Sequence, residues 1–144
     1  MRFVILRKAD PNTEAGALPS QELVDAMIRY NEEMIQAGVM LGGEGLRPSS
    51  LGARIQFSGG KPTVTDGPFA EAKELVAGFT LIQVNSREEA LEWVKRWPAE
   101  DGDGEVVLEL RQVYEAEDFG EAVSAQLGEH LDDLRAQTEK TYRS

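Results

Sequence analysis

Apolar residues open the chain as an unbroken run, Phe3-Val4-Ile5-Leu6, set between Arg2 and the pair Arg7-Lys8. A short run without alternation predicts a strand buried on both faces. The stretch from Asp10 to Leu18 carries Pro, Gly and Asn and reads as a loop. The period then becomes helical: Leu23, Met27, Tyr30 and Met34 recur at intervals of three and four, with Val24, Ile28 and Ile35 widening the stripe. Ser20 is placed to cap this helix and Gly38 to end it.

Beyond the helix, Val39-Met40-Leu41 runs into Gly42-Gly43-Glu44-Gly45, where the glycines predict extended backbone with a close neighbour. Arg54 to Phe57 alternates, Ser58-Gly59-Gly60-Lys61 is a hairpin turn, and Pro62 to Thr65 returns as an edge strand. Gly78 to Val84 is a further strand, with Phe79 and Leu81 on one face and Ile82 and Val84 on the other. Ser86-Arg87-Glu88-Glu89 fits a capping box. It opens a second helix whose buried face is Ala90, Leu91, Val94 and Trp97, and Pro98 ends that helix. Val106, Leu108 and Leu110 then alternate with Val107, Glu109 and Arg111 as the last core strand.

This order predicts an α+β domain, a ferredoxin-like split βαβ with an inserted β-hairpin, over residues 1–114. With both helices on one face of the sheet, the other face needs a cover, and a second subunit is the simplest one. From 115 to 144 the chain extends as an amphipathic C-terminal helix, expected from Glu117 to Thr141. Its stripe is Phe119, Val123, Leu127, Leu131 and Leu134, weakened by Gly120 and Gly128 at about 1 kcal/mol each relative to Ala.

Composition narrows the functional classes. At 41% apolar residues the chain is globular rather than disordered. The formal net charge of −11 argues against nucleic acid and anionic membrane surfaces as partners, since both recruit clustered Lys and Arg. With no cysteine, thiolate metal sites and cysteine nucleophiles are excluded. The opening run is too short for a signal peptide or a membrane span, so the expected location is cytoplasmic. Gly42-Gly43-Glu44-Gly45 lacks a phosphate-loop Lys-Ser/Thr, and a single histidine supports neither a Ser-His-Asp set nor a His pair for metal.

Candidate chemistry gathers in Asp66-Gly67-Pro68-Phe69-Ala70-Glu71-Ala72-Lys73-Glu74, where a hairpin strand ends in a tight turn followed by closely spaced charges. Asp66 is placed to accept N–H groups in the turn, and Glu71 to pair with Lys73. This segment resembles the signature of the DGPF proteins, a branch of the YCII-related family. Gly42-Gly43-Glu44-Gly45-Leu46, Gly78-Phe79 and Glu88-Glu89-Ala90-Leu91-Glu92-Trp93 extend the resemblance across roughly residues 1 to 114.

The resemblance implies a dimeric α+β barrel with a cleft beside the sheet, in a bacterial family mostly without assigned activity. It also implies a regulatory setting near extracytoplasmic-function sigma factors. The YCII branch has a proposed His–Asp pair. Here the sole histidine, His130, lies in the tail, so that pair is not carried over.

The candidate acid–base or ligand-binding residues are therefore Asp66, Glu44 and Glu71, with Arg54, Lys73 and Tyr30 as binding residues. Paired carboxylates in one cleft can part their pKa values for acid–base work, or ligate a hard cation. No residue set is assigned to a metal and no cofactor is named. The expected reading is a small-molecule-binding or enzymatic domain with an acidic cleft around the DGPF motif. The alternative is a non-catalytic interaction or regulatory homodimer.

Overall fold

The computed structural model describes residues 1–143. They form two compact units, Met1–Gln112 and the segment from Val113 onward. In the first unit the strands are β1 (Arg2–Lys8), β2 (Met40–Gly45), β3 (Ala53–Ser58), β4 (Lys61–Asp66), β5 (Val76–Gln83) and β6 (Leu108–Gln112). Its helices are α1 (Pro11–Glu14), α2 (Gln21–Gln36) and α3 (Arg87–Lys95).

The main sheet is antiparallel in the order β2-β5-β1-β6, and β3-β4 form a separate two-stranded sheet. This is the expected ferredoxin-like topology, with the hairpin inserted between β2 and β5.

The sheet presents two different faces. Phe3, Ile5 and Ile82 join Tyr30 and Met34 of α2 and Ala90 of α3 in one core, at 5% exposure or less. The register Val4↔Leu81 and Leu6↔Phe79 places those four side chains on the opposite face, where no helix of this unit covers them. The opening strand was expected to be buried on both faces. Instead its burial alternates, because both helices lie on the Phe3–Ile5 side.

Other local readings are refined in the same way. Ile28 and Ile35 do not widen the buried stripe of α2: they are 51% and 60% exposed, because the helix seats Ala26, Tyr30 and Met34 on the sheet and turns those two outward. The expected loop after β1 contains α1. Asp10 accepts from the Thr13 N–H at 2.8 Å, and the Asp10 N–H donates to Thr13 Oγ1 at 2.9 Å. Pro11 supplies the helical φ of the first position.

At α3, Ser86 Oγ accepts from the Glu89 N–H as expected. The Glu89 carboxylate, however, takes the N–H of Asn85 rather than that of the cap residue. The turn between β3 and β4 uses Gly59 and Gly60 at φ 56° and 77°, the left-handed backbone that a two-residue hairpin of this kind requires.

The second unit holds a 3₁₀ turn, Ala116–Phe119, and the helix α4 (Glu121–Arg143). The tail was expected as one helix from Glu117. It breaks at Gly120, whose φ of 88° lies outside helical space. Phe119 therefore leaves the helical stripe and packs on Tyr114, with ring centroids 5.0 Å apart. Val123 and Leu134 stay exposed, while Leu127 and Leu131 are half-buried.

Candidate functional site

β1 sends Phe3, Ile5 and Arg7 to the same side, so a guanidinium ends a row of apolar core residues with only 8% of Arg7 exposed. A buried cation needs full hydrogen-bonding company. Nε and Nη2 of Arg7 donate to Oδ2 and Oδ1 of Asp101 at 3.0 and 2.7 Å, a bidentate pair. Nη1 donates to Asp10 Oδ2 at 2.9 Å and to the Lys8 carbonyl at 2.7 Å. Trp97, just past α3, adds its Nε1–H to Asp101 Oδ2 at 2.9 Å.

These contacts set the protonation states. Burial pushes the Asp101 carboxyl up, but hydrogen bonds from Arg7 and Trp97 outweigh it and hold the group below the usual carboxylate range. At Asp10, burial again opposes and the Thr13 N–H and Arg7 prevail, so its carboxyl is also lowered. The hydrogen bond to Asp101 raises Arg7 further above its ordinary value.

Beside this network lies a cleft of about 380 Å³, lined by Arg7, Lys8, Asp10, Lys73 and Glu105 with Val106 and Val107 as apolar wall. Its volume falls in the range of small-molecule sites. Some of its charges are already engaged: Asp10 by Arg7 and Thr13, and Glu109 by Arg111 at 3.5 Å. Lys8, Lys73 and Glu105 make no hydrogen bond or ion pair through their side chains among the described residues. The lining balances at three cations and three carboxylates, and its unpartnered side chains are two lysines, Lys8 and Lys73, against one carboxylate, Glu105.

The DGPF segment is built by close approach. The Gly67 N–H donates to the Gly52 carbonyl at 3.0 Å and closes the base of the hairpin. A Cβ at Gly67 would stand 1.8 Å from the Ser49 carbonyl oxygen, so no larger residue fits. The Phe69 N–H donates to Ser49 Oγ at 3.1 Å. Ser49 in turn donates its N–H to Glu14 Oε1 at 3.0 Å and its hydroxyl to Glu14 Oε2. The Arg54 guanidinium lies 4.1 Å over the Phe69 ring, a cation–π contact.

The six predicted site residues are therefore dispersed. Arg54 and Asp66 belong to the exposed hairpin, where Arg54 faces Thr65 across the ladder and Asp66 faces Ala53. Asp66 is exposed and its carboxylate accepts none of the expected turn N–H groups. Glu71 is also exposed and forms no ion pair with Lys73. Lys73 lines the cleft beside Arg7. Glu44 sits on β2 opposite Phe79, on the face of the main sheet away from α2 and α3.

Tyr30 belongs to the core and also lines a concavity of about 280 Å³ with Arg29, Glu33 and Arg96. Its hydroxyl donates to the Trp93 carbonyl at 2.6 Å, its ring meets Trp97 edge-on, and burial pushes its pKa up to about 12. Among the described residues, no group of three or more His, Cys, Asp or Glu is arranged to hold a metal ion. Sequence reasoning missed Arg7, Asp101 and Trp97. The available signal was an arginine in phase with Phe3 and Ile5 on a central strand.

A four-stranded antiparallel sheet in this order, with two helices on one face and a cleft at the end of its central strand, defines a ferredoxin-like α+β domain. The family model of the YCII-related domain matches residues 1–113, and the chain belongs to that family. An uncharacterised protein of Rhizobium meliloti (strain 1021) is 44% identical over 50 residues, 35% of this chain and 40% of that protein's length. Among solved structures, 5-chloro-2-hydroxyhydroquinone dehydrochlorinase from Burkholderia phenoliruptrix AC1100, in complex with 2,5-dihydroxybenzoquinone, is similar. It aligns at a TM-score of 0.43 and 15% identity, covering 80% of this chain and 95% of that one. No helix among the described residues is long and apolar enough to cross a membrane.

Proposed function

We propose that this domain binds a small organic anion in the cleft beside Arg7, with Lys8 and Lys73 as its charge-recognising groups. The observation that carries the reading is the pair of unpartnered lysines on a cleft where only one carboxylate, Glu105, is also unpartnered. Arg7 serves as the fixed wall: its bonds to Asp101 and Asp10 hold it still, so little ordering cost remains when a ligand arrives. Val106 and Val107 receive the apolar part of the ligand.

Calorimetric titration with succinate, phthalate and benzoate, against the corresponding amides, tests this. Lys73→Gln and Lys8→Gln are each expected to weaken anion binding by about tenfold, the loss of a charged hydrogen-bonding partner. Amides that bind as well as the acids, or anion binding unchanged in both variants, would defeat the reading.

A second reading concerns assembly. The face bearing Val4, Leu6, Phe79 and Leu81 has no helix of its own unit over it, and Ile55, Phe57, Pro62 and Val64 give the hairpin one apolar, exposed face. Both features support pairing of two copies. Cover over the main sheet would also take Glu44, opposite Phe79, out of water, which makes it a candidate acid–base group with Asp66 and Glu71. Sedimentation of the parent and of Phe79→Lys is the check. A parent dimer that the variant dissociates supports pairing, and a parent monomeric at tens of micromolar rejects it.

A further inference from the structure

A second concavity lies apart from the Arg7 cleft, where the turn after α1 meets the connection leaving β2. It encloses about 510 Å³ between Leu18, Leu46, Leu51, Pro19 and Pro48, with Arg47 at its edge. Leu18, Leu46 and Leu51 are 91%, 48% and 66% exposed, so three leucines converge on one groove with no other part of this unit covering them. Single exposed leucines are ordinary, but three around one concavity mark a site.

The groove is preformed. Ser49 ties its two walls together, since both its N–H and its hydroxyl go to the Glu14 carboxylate at the end of α1. The Leu46 N–H donates to the Ala77 carbonyl at 2.8 Å and carries the β2–β5 ladder into the wall. The Asp10–Thr13 capping box fixes the start of α1.

The lining carries one carboxylate, Glu14, and one guanidinium, Arg47, and the one left without a partner decides the occupant. Both oxygens of Glu14 are engaged by Ser49, whereas Arg47 has no hydrogen bond or ion pair among the described residues. We propose that this groove binds an amphiphilic monocarboxylate, its apolar body on Leu18, Leu46 and Leu51 and its carboxylate on the Arg47 guanidinium. The guanidinium fork suits a carboxylate in two-point contact, and the leucines gain from burying an aliphatic or aromatic body. This site is independent of the anion cleft at Lys73.

Octanoate, with methyl octanoate as uncharged control, is the probe, followed by backbone amide NMR on the full chain. Octanoate is expected to shift amides at Leu18, Leu46 to Leu51 and Ala77. Arg47→Gln should weaken it by about tenfold without changing methyl octanoate, the signature of a lost charged contact. Leu51→Asp should weaken both, and Lys73→Gln should leave the octanoate shifts at Leu18 and Leu46 to Leu51 unchanged. The proposal is overturned if octanoate and its ester shift the groove amides alike, if Arg47→Gln leaves those octanoate shifts unchanged, or if octanoate shifts fall on the Lys73 cleft alone.

Discussion

Arg7 and Asp101 show how one residue pair can matter more than a larger area of apolar contact. Both lie at 10% side-chain exposure, and each satisfies the other through two hydrogen bonds. Removing Asp101 leaves Arg7 paired with Asp10 alone and strands the buried Nε–H and Nη2–H of its guanidinium and the Trp97 Nε1–H without an acceptor. Asp101→Ala is therefore expected to cost about 3–5 kcal/mol in chemical denaturation. Replacing both, as Arg7→Met with Asp101→Leu, removes the charges together and should cost far less. A double variant as unstable as the single one would mean that packing, not charge pairing, sets the value of this pair. Tyr30, read as a binding residue, gives its hydroxyl to the Trp93 carbonyl, and burial pushes its pKa up to about 12.

At the scale of elements, the hairpin and its DGPF turn are held by backbone approach rather than by the Asp66 side chain. Gly67→Ala places a methyl group 1.8 Å from the Ser49 carbonyl, so the turn must move. The expected loss is about 1–3 kcal/mol, the usual cost of overpacking, and the Phe69 to Ser49 hydrogen bond should break with it. Asp66→Ala, at an exposed carboxylate without turn contacts, should stay within about 0.5 kcal/mol of the parent. Thermal or denaturant unfolding of the two variants side by side reads both, and a costly Asp66→Ala would restore that residue to a structural role.

The whole molecule inherits a pH dependence from its buried network. Asp101 and Asp10 both titrate below their ordinary value of 3.8 in the folded state. In the interval between folded and unfolded pKa values the unfolded chain binds more protons, so stability rises with pH there. The network's contribution is complete above the unfolded value and is lost as pH falls from about 4 through the folded values. Denaturant midpoints measured from pH 6 to pH 2 should fall in the parent and flatten in the Arg7→Met, Asp101→Leu variant. An unflattened profile would assign the acid sensitivity to other carboxylates.

The topology was legible because each element carries its own period and its own stops. Helical spacing from Leu23 to Met34 ends at Gly38, which has φ 73°; alternation in the hairpin strands brackets Gly59-Gly60; Ser86 caps α3. These are local properties, set by backbone geometry within a few residues, so the sequence by itself determined them, together with the family resemblance and the antiparallel α+β class. The site was another matter. Arg7 and Asp101 are 94 positions apart, and Lys73 joins their cleft from a third segment. Nothing local tells an arginine that its partner stands at the far end of the chain. Only the sheet register and the placement of α3 bring those charges together, since a buried ion pair is a property of the space enclosed by several elements. For the same reason the exposure of Asp66, the sheet face of Glu44 away from α2 and α3, and the leucine-lined groove at Arg47 were decided by tertiary structure alone.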